Sequence, residues 1–147
     1  MFKKILVATD GSPLSEKAVA SAIALARQHG AELVAFTVAR RPPHSYMDGT
    51  TIQQTTESEN IDKLRLEKAH AMVAAIGERA SASGVTCQPQ VAHSNQVAES
   101  IIAAAEKHAS DLIVMASHGR KGIGRLLLGS ETQHVLTHST LPALVLR

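Results

Sequence analysis

A single cysteine, Cys87, stands among 147 residues, so no internal disulfide can form, and a lone thiol fits a reducing compartment. Neither sign of charge dominates: 15 Lys+Arg against 13 Asp+Glu leave a formal +2. That excess is too small and too dispersed for a nucleic-acid or membrane-surface binder. No apolar run approaches the ~20 residues needed to span a bilayer. The opening Met-Phe-Lys-Lys-Ile-Leu-Val-Ala-Thr-Asp starts like a secretion signal, but its apolar stretch is short and Asp10 ends it without a cleavage pattern. Internal repeats and low-complexity tracts are missing too. These absences point to one soluble, cytoplasmic domain over residues 1–147, large enough for a core without staples.

What remains is a regular alternation of strand and helix signals. Lys3 to Thr9 reads as a buried strand. Ser12 is placed to cap a helix with Pro13 at its first position, and Leu14, Ala18, Ala22 and Leu25 repeat at helical spacing until Gly30 stops it. Glu32 to Ala39 is a second strand, broken by Arg40-Arg41-Pro42-Pro43. The polar, unpatterned stretch from Arg40 to Thr56 reads as a flexible loop rather than a domain boundary. Thr56 and Glu59 have capping-box spacing ahead of a long helix whose apolar stripe is Leu66, Ala69, Val73, Ile76 and Ala80, ending near Gly84. Val85 to Ala92 is a weaker strand, and Pro89 suits it to a sheet edge. Val97, Ile101, Ala104 and His108 mark a third helical stripe. Asp111 to Ala116 is an apolar strand, a short helix starts at Ser130, and Leu141 to Arg147 is the last strand.

Strands alternating with helices imply right-handed crossovers and a parallel sheet covered on both faces. The expected fold is therefore α/β: an open, doubly wound five-stranded parallel sheet with four helices. Ligands in such sheets bind beyond the carboxyl ends of the strands, where the strand order reverses. Unusual residues stand at two of those ends, Asp10-Gly11-Ser12 after the first strand and a glycine-rich loop after the fourth.

That loop, Met-Ala-Ser-His-Gly-Arg-Lys-Gly-Ile-Gly-Arg-Leu-Leu-Leu-Gly-Ser-Glu-Thr over Met115 to Thr132, has the chemistry of a phosphate cradle. Glycine lets backbone N–H groups approach an anion, and the helix starting near Ser130 adds unpaired N–H groups and a favourable dipole. Ser130 can donate a hydroxyl, while Arg120, Lys121 and Arg125 carry positive charge. The standard fingerprints fail, however: there is no Walker A spacing, and Gly122-Ile-Gly124 lacks a third glycine at Leu127. On spacing alone, a glycine-rich connector with solvated basic residues explains the stretch at least as well.

Resemblance adds to this. Ser117-His118-Gly119-Arg120, the intervening residues to Leu128, then Gly129-Ser130 resemble the signature of the universal stress protein family. The opening Ile-Leu-Val-Ala-Thr-Asp-Gly-Ser and closing Leu-Pro-Ala-Leu-Val-Leu are similar to the same family, so the likeness runs the whole chain. It implies an adenine-nucleotide-binding (α-hydrolase-like) fold with strand order 3-2-1-4-5, a homodimer through the C-terminal strand, and ATP, alone or with Mg or Mn. The implied nucleotide contacts are Asp10 at the ribose and Ala8 and Val38 beside the adenine. Ribose and phosphates are implied to meet Ala116, Ser117, His118, Gly119, Arg120, Lys121, Gly122, Gly129, Ser130, Glu131 and Thr132. Two positions depart from the pattern. Ala116 stands where ATP-binding members have glycine; alanine resists positive φ, and its methyl could crowd a ribose or phosphate. Glu131 replaces a commonly apolar residue; a carboxylate there opposes phosphate unless it points away or holds a metal, and the favoured reading is the plain one, that acidic residues suit the first turn of a helix.

Other candidates have plain readings beside the chemical ones. His118 could touch phosphate or be a structural loop residue. His29, His70, His93, His108, His134 and His138 lack metal-ligand spacing, and the His134/His138 pair has no carboxylate or cysteine at hand in sequence, so no metal site is expected. Ser12 has no evident base and reads as a cap. Arg40 and Arg41 could neutralise phosphate or simply solubilise a loop, and the second is the expected reading. No general base or paired magnesium carboxylates can be assigned, so catalysis is at most slow ATP hydrolysis or autophosphorylation at a residue such as Ser130. The expected function is an adenine-nucleotide-binding stress or signalling protein acting as a homodimer without nucleic-acid or membrane partners. The alternatives are a non-binding structural dimer or a slow ATPase or autokinase.

Overall fold

The computed structural model describes residues 1–41, 56–119 and 128–147. Strands β1 (Lys4–Ala8), β2 (Glu32–Ala39), β3 (Cys87–His93), β4 (Leu112–Ala116) and β5 (Ala143–Leu146) alternate with helices α1 (Pro13–His29), α2 (Thr56–Ala82), α3 (Val97–Lys107) and α4 (Ser130–His138). All pairings are parallel, in the order β3-β2-β1-β4-β5. The doubly wound sheet expected from the alternation is the observed one, and Pro89 does lie on an edge strand.

Period-two alternation divides the core into two layers. Ile5 and Val7 of β1 face one way, with Leu33, Ala35 and Val114, and are covered by α1 through Val19 and Ala22 and by α2 through Val73 and Ile76. Leu6 and Ala8 face the other way, with Val34, Phe36, Ile113 and Met115, and meet α3 through Ala98, Ile101 and Ala105 and α4 through Val135. Two helices on each face bury the central strands completely, which is why their sequences are continuous apolar runs rather than alternating ones.

The ends of α1 follow their sequence signals. Ser12 accepts a hydrogen bond from the Ser15 N–H at 3.2 Å, and Pro13 opens the helix. Gly30 closes it at φ +64, a left-handed conformation that a Cβ would strain. Elsewhere the boundaries move. α2 is described from Thr56 onward, and Thr56 is already a helical residue rather than the cap. The expected loop before it falls at residues 42–55, outside the described ones. On α3 the buried line is Ala98, Ile101 and Ala105, not Val97, Ala104 and His108. Both lines share Ile101, and the helix is turned so that its small residues meet the sheet.

Cys87 lies half-buried on β3 and packs against the α1–α2 layer. Burial pushes its thiol up, a hydrogen bond with the Ala35 backbone only partly opposing it. Alkylation needs the thiolate, so iodoacetamide at pH 8 is expected to label Cys87 at least about tenfold more slowly in the native protein than after unfolding. Equal rates would show that the β3 edge opens freely.

Candidate functional site

The strand order reverses between β1 and β4, and the crevice lies there, beyond the carboxyl ends of β1, β2 and β4. Its volume is about 700 Å3. The floor is apolar: Ala8, Phe36, Val38, Ile101 and Met115. Asp10, then Ala116, His118 and Gly119 at and after the β4 end, and the start of α4 form one rim; Arg65, Lys68 and Met72 of α2 form another.

The β1 rim is built by a compact polar network. Gly11 adopts φ +77, letting the chain turn sharply after the strand. Asp10 Oδ1 accepts from the Ser12 N–H at 2.9 Å, so the carboxylate is oriented by the same turn that caps α1. Behind it, Thr37 Oγ1 donates to the Thr9 carbonyl at 2.7 Å, and the Thr9 and Ser15 hydroxyls are 2.9 Å apart. These buried bonds tie the ends of β1 and β2 to α1 and hold Asp10 at the mouth.

Opposite, the β4–α4 connection leaves and re-enters at one point. The Ser117 N–H donates to the Leu146 carbonyl at 2.7 Å, and the Gly129 N–H donates to the Ser117 carbonyl at 2.8 Å. Thr132 Oγ1 donates to the Ala116 carbonyl at 2.9 Å, pinning the first turn of α4 to the end of β4. Two glycines make room here. A Cβ on Gly119 would stand 2.6 Å from Asp10 Oδ2, and one on Gly129 would stand 3.1 Å from the His118 Cα. Bare backbone thus lets the β4 end approach Asp10 at Gly119 and lets the β4–α4 connection close on itself at Gly129. Gly129 caps α4 with no side-chain hydrogen bond, and the first-turn residues Ser130, Glu131 and Thr132 line the crevice.

Both departures from the family pattern have a structural account. Ala116 is the last residue of β4; among the described non-glycine residues only Ala109 has positive φ, so alanine at 116 carries no backbone strain. Glu131 sits in the first turn of α4, as its acidic character suggests, but it also reaches another helix. Its Oε2 accepts from the Ala98 N–H at 2.9 Å, supplying a cap for α3 that Gln96 does not provide. Its Oε1 lies 3.8 Å from the Arg40 guanidinium. Arg40 lines the crevice, a position that fits the phosphate-neutralising alternative better than the expected solubilising one.

Of the expected contacts, Ala8, Asp10, Val38, Ala116, His118, Gly119 and Gly129 to Thr132 line this one crevice. Ser117 lies buried behind it, with its hydroxyl 3.1 Å from His118 Nδ1. Arg120, Lys121 and Gly122 lie outside the described residues. Among the described histidines, His134 contacts Glu99 at 3.3 Å and stacks on His138 at 4.1 Å between ring centroids, an α3–α4 surface clasp. Arg65, Lys68 and Met72 of α2 were not singled out from sequence; on a long helix they read as an ordinary solvated flank.

The sequence model of the universal stress protein family matches residues 1–147. The chain belongs to the universal stress protein family. Among its relatives, the universal stress protein of the QAH/OAS sulfhydrylase 3' region of Thermus aquaticus is 35% identical over 147 residues, with all of both chains covered. YxiE of Bacillus subtilis is 35% identical over 150 residues, again across the full length of both. Universal stress protein UspA of Lactobacillus plantarum superposes with a TM-score of 0.84 at 21% identity, covering 99% of this chain and 97% of that one. A universal stress protein in complex with cAMP superposes at 0.69 with 22% identity over 99% and 97% of the two chains. The Archaeoglobus fulgidus universal stress protein in complex with dAMP does so at 0.68 with 15% identity over 99% and 98%. At such identities these structures share the fold, and the family is carried by the sequence relatives.

Proposed function

We infer that this universal stress protein binds adenine nucleotides, ATP among those to be tested, in the crevice at the ends of β1 and β4. The observation that carries this reading is the paired close approach at Gly119 and Gly129, where a side chain would meet Asp10 and His118. It leaves the N-terminus of α4 open beside an apolar floor, and related folds carry cAMP or dAMP. A volume of about 700 Å3 is in the range of small-molecule sites.

Asp10 would take the ribose hydroxyls, Ala8 and Val38 the adenine, and Ser130 with the first N–H groups of α4 the phosphate. Among the described residues no three His, Cys, Asp or Glu side chains gather, so an accompanying Mg or Mn would draw most of its ligands from phosphate and water. Nucleotide occupancy would act on a cytoplasmic homodimer built through β5, the sheet edge nearest α4. No helix among the described residues is long and apolar enough to cross a membrane.

Isothermal titration with ATP, ADP and AMP tests the ligand. Saturable heat and a thermal upshift with at least one of them are expected. Neither signal at millimolar nucleotide would assign the chain to the non-binding class instead.

A further inference from the structure

Glu131 is the one carboxylate on the α4 side of the crevice among the described residues, directly after Ser130. It is held from behind: the Ala98 N–H grips Oε2 at 2.9 Å, so the group cannot swing away without uncapping α3. Among the described residues its cationic neighbour is Arg40, 3.8 Å away, and that side chain is 61% exposed. An ion pair this loose and solvated is weak and easily exchanged. A phosphate arriving at α4 can draw Arg40 off, but the carboxylate stays.

We propose that Glu131 and Arg40 form a charge filter, making this crevice selective for adenine nucleotides with a single phosphate over the triphosphate. The proposal rests on the nucleotide-binding reading and refines its ligand class. Coulomb repulsion grows with each charge brought near a fixed carboxylate, whereas the contacts to adenine and ribose are common to all these ligands. Arg65 and Lys68, on the α2 rim, raise the attraction for anions generally. Their attraction falls on every anionic ligand, so the filter is read from how removing the Glu131 charge changes the ranking of ligands.

The test compares cAMP, AMP and ATP by isothermal titration on the parent chain and on two variants. Glu131→Gln removes the charge and keeps an oxygen to accept from Ala98. Its gains in affinity are expected to rank by ligand charge, about tenfold for ATP, about threefold for AMP and smaller for cAMP. Arg40→Gln removes the neutralising partner and is expected to widen the preference for AMP over ATP. Raising the salt should shrink both effects. Equal gains for all three ligands, or none, would overturn the filter and leave the nucleotide site standing. A parent chain that prefers ATP over AMP would overturn it too. If no ligand binds any of the three proteins, the nucleotide-binding reading itself fails, and the filter with it.

Discussion

Gly129→Val is expected to cut nucleotide affinity by about 100-fold or more, the loss of roughly two charge-assisted hydrogen bonds from backbone to phosphate. Gly129 has φ −60 and ψ 148, a conformation open to any residue, so its glycine is a matter of space. A Cβ there would stand 3.1 Å from the His118 Cα, 3.3 Å from the Ser117 carbonyl oxygen and 3.4 Å from the His118 Cβ. Two of those neighbours are backbone atoms and cannot rotate out of the way. Valine adds two further carbons at the same point. The chain must then part from Ser117, breaking the 2.8 Å Gly129–Ser117 hydrogen bond and moving the N-terminus of α4.

The rest of the domain should survive this change. Val135 in its core layer and the Thr132–Ala116 bond still seat α4 on β4. Overpacking at one such site costs about 1–3 kcal/mol, less than the stability of an ordinary domain. Titration and circular dichroism on the same sample separate lost binding from lost fold. Binding as tight as in the parent would refute the cradle. Ala116→Gly makes a useful companion: because Ala116 is extended, it should bind much like the parent.

The contrast between these two positions shows what sequence could reveal about the site. Strands, helices and their succession along the chain were legible because each depends on local periodicity or on single punctuating residues such as Ser12, Pro13 and Gly30, while the order of strands in the sheet came from the resemblance. The resemblance correctly marked Ala116 as a departure. Whether it strains the backbone depended on its φ, which a one-letter pattern does not carry. Glu131 is the harder case. Its role as a cap for Ala98 joins residues 33 positions apart on different helices. The only sequence trace of that role is negative, the poor cap at Gln96. Arg40 was placed with the loop because two prolines follow Arg41, yet it ends up beside the crevice since β2 stops at its mouth. Lys68 and Arg65 were invisible for a similar reason. A helix flank is recognised as polar from its pattern, but which cavity it overlooks is set by how α2 packs on β2 and β3.

The remaining large effect concerns assembly, where the direction of individual backbone groups decides which substitution is informative. β5 is an edge strand, paired to β4 on one side only. Pro142 and Leu146 turn their carbonyls to β4, accepting from Ile113 at 3.0 Å and Ser117 at 2.7 Å. By the alternation of a parallel ladder, the backbone groups of Ala143 and Val145 face outward. An open apolar edge invites pairing with a second strand, and a two-fold homodimer would close both edges at once. Leu144→Pro is therefore a poor test, because it strikes on the β4 side and threatens the fold. Val145→Pro removes an outward donor while sparing the bonds to β4. Light scattering at micromolar concentration is expected to give twice the 15.6 kDa chain mass for the parent and the single mass for Val145→Pro, with the far-ultraviolet spectrum kept. Leu144→Ala, which trims a side chain 40% exposed, should leave the dimer in place if main-chain pairing holds it. A parent that scatters as a monomer, or a Val145→Pro variant that stays dimeric, would rule out pairing through this edge.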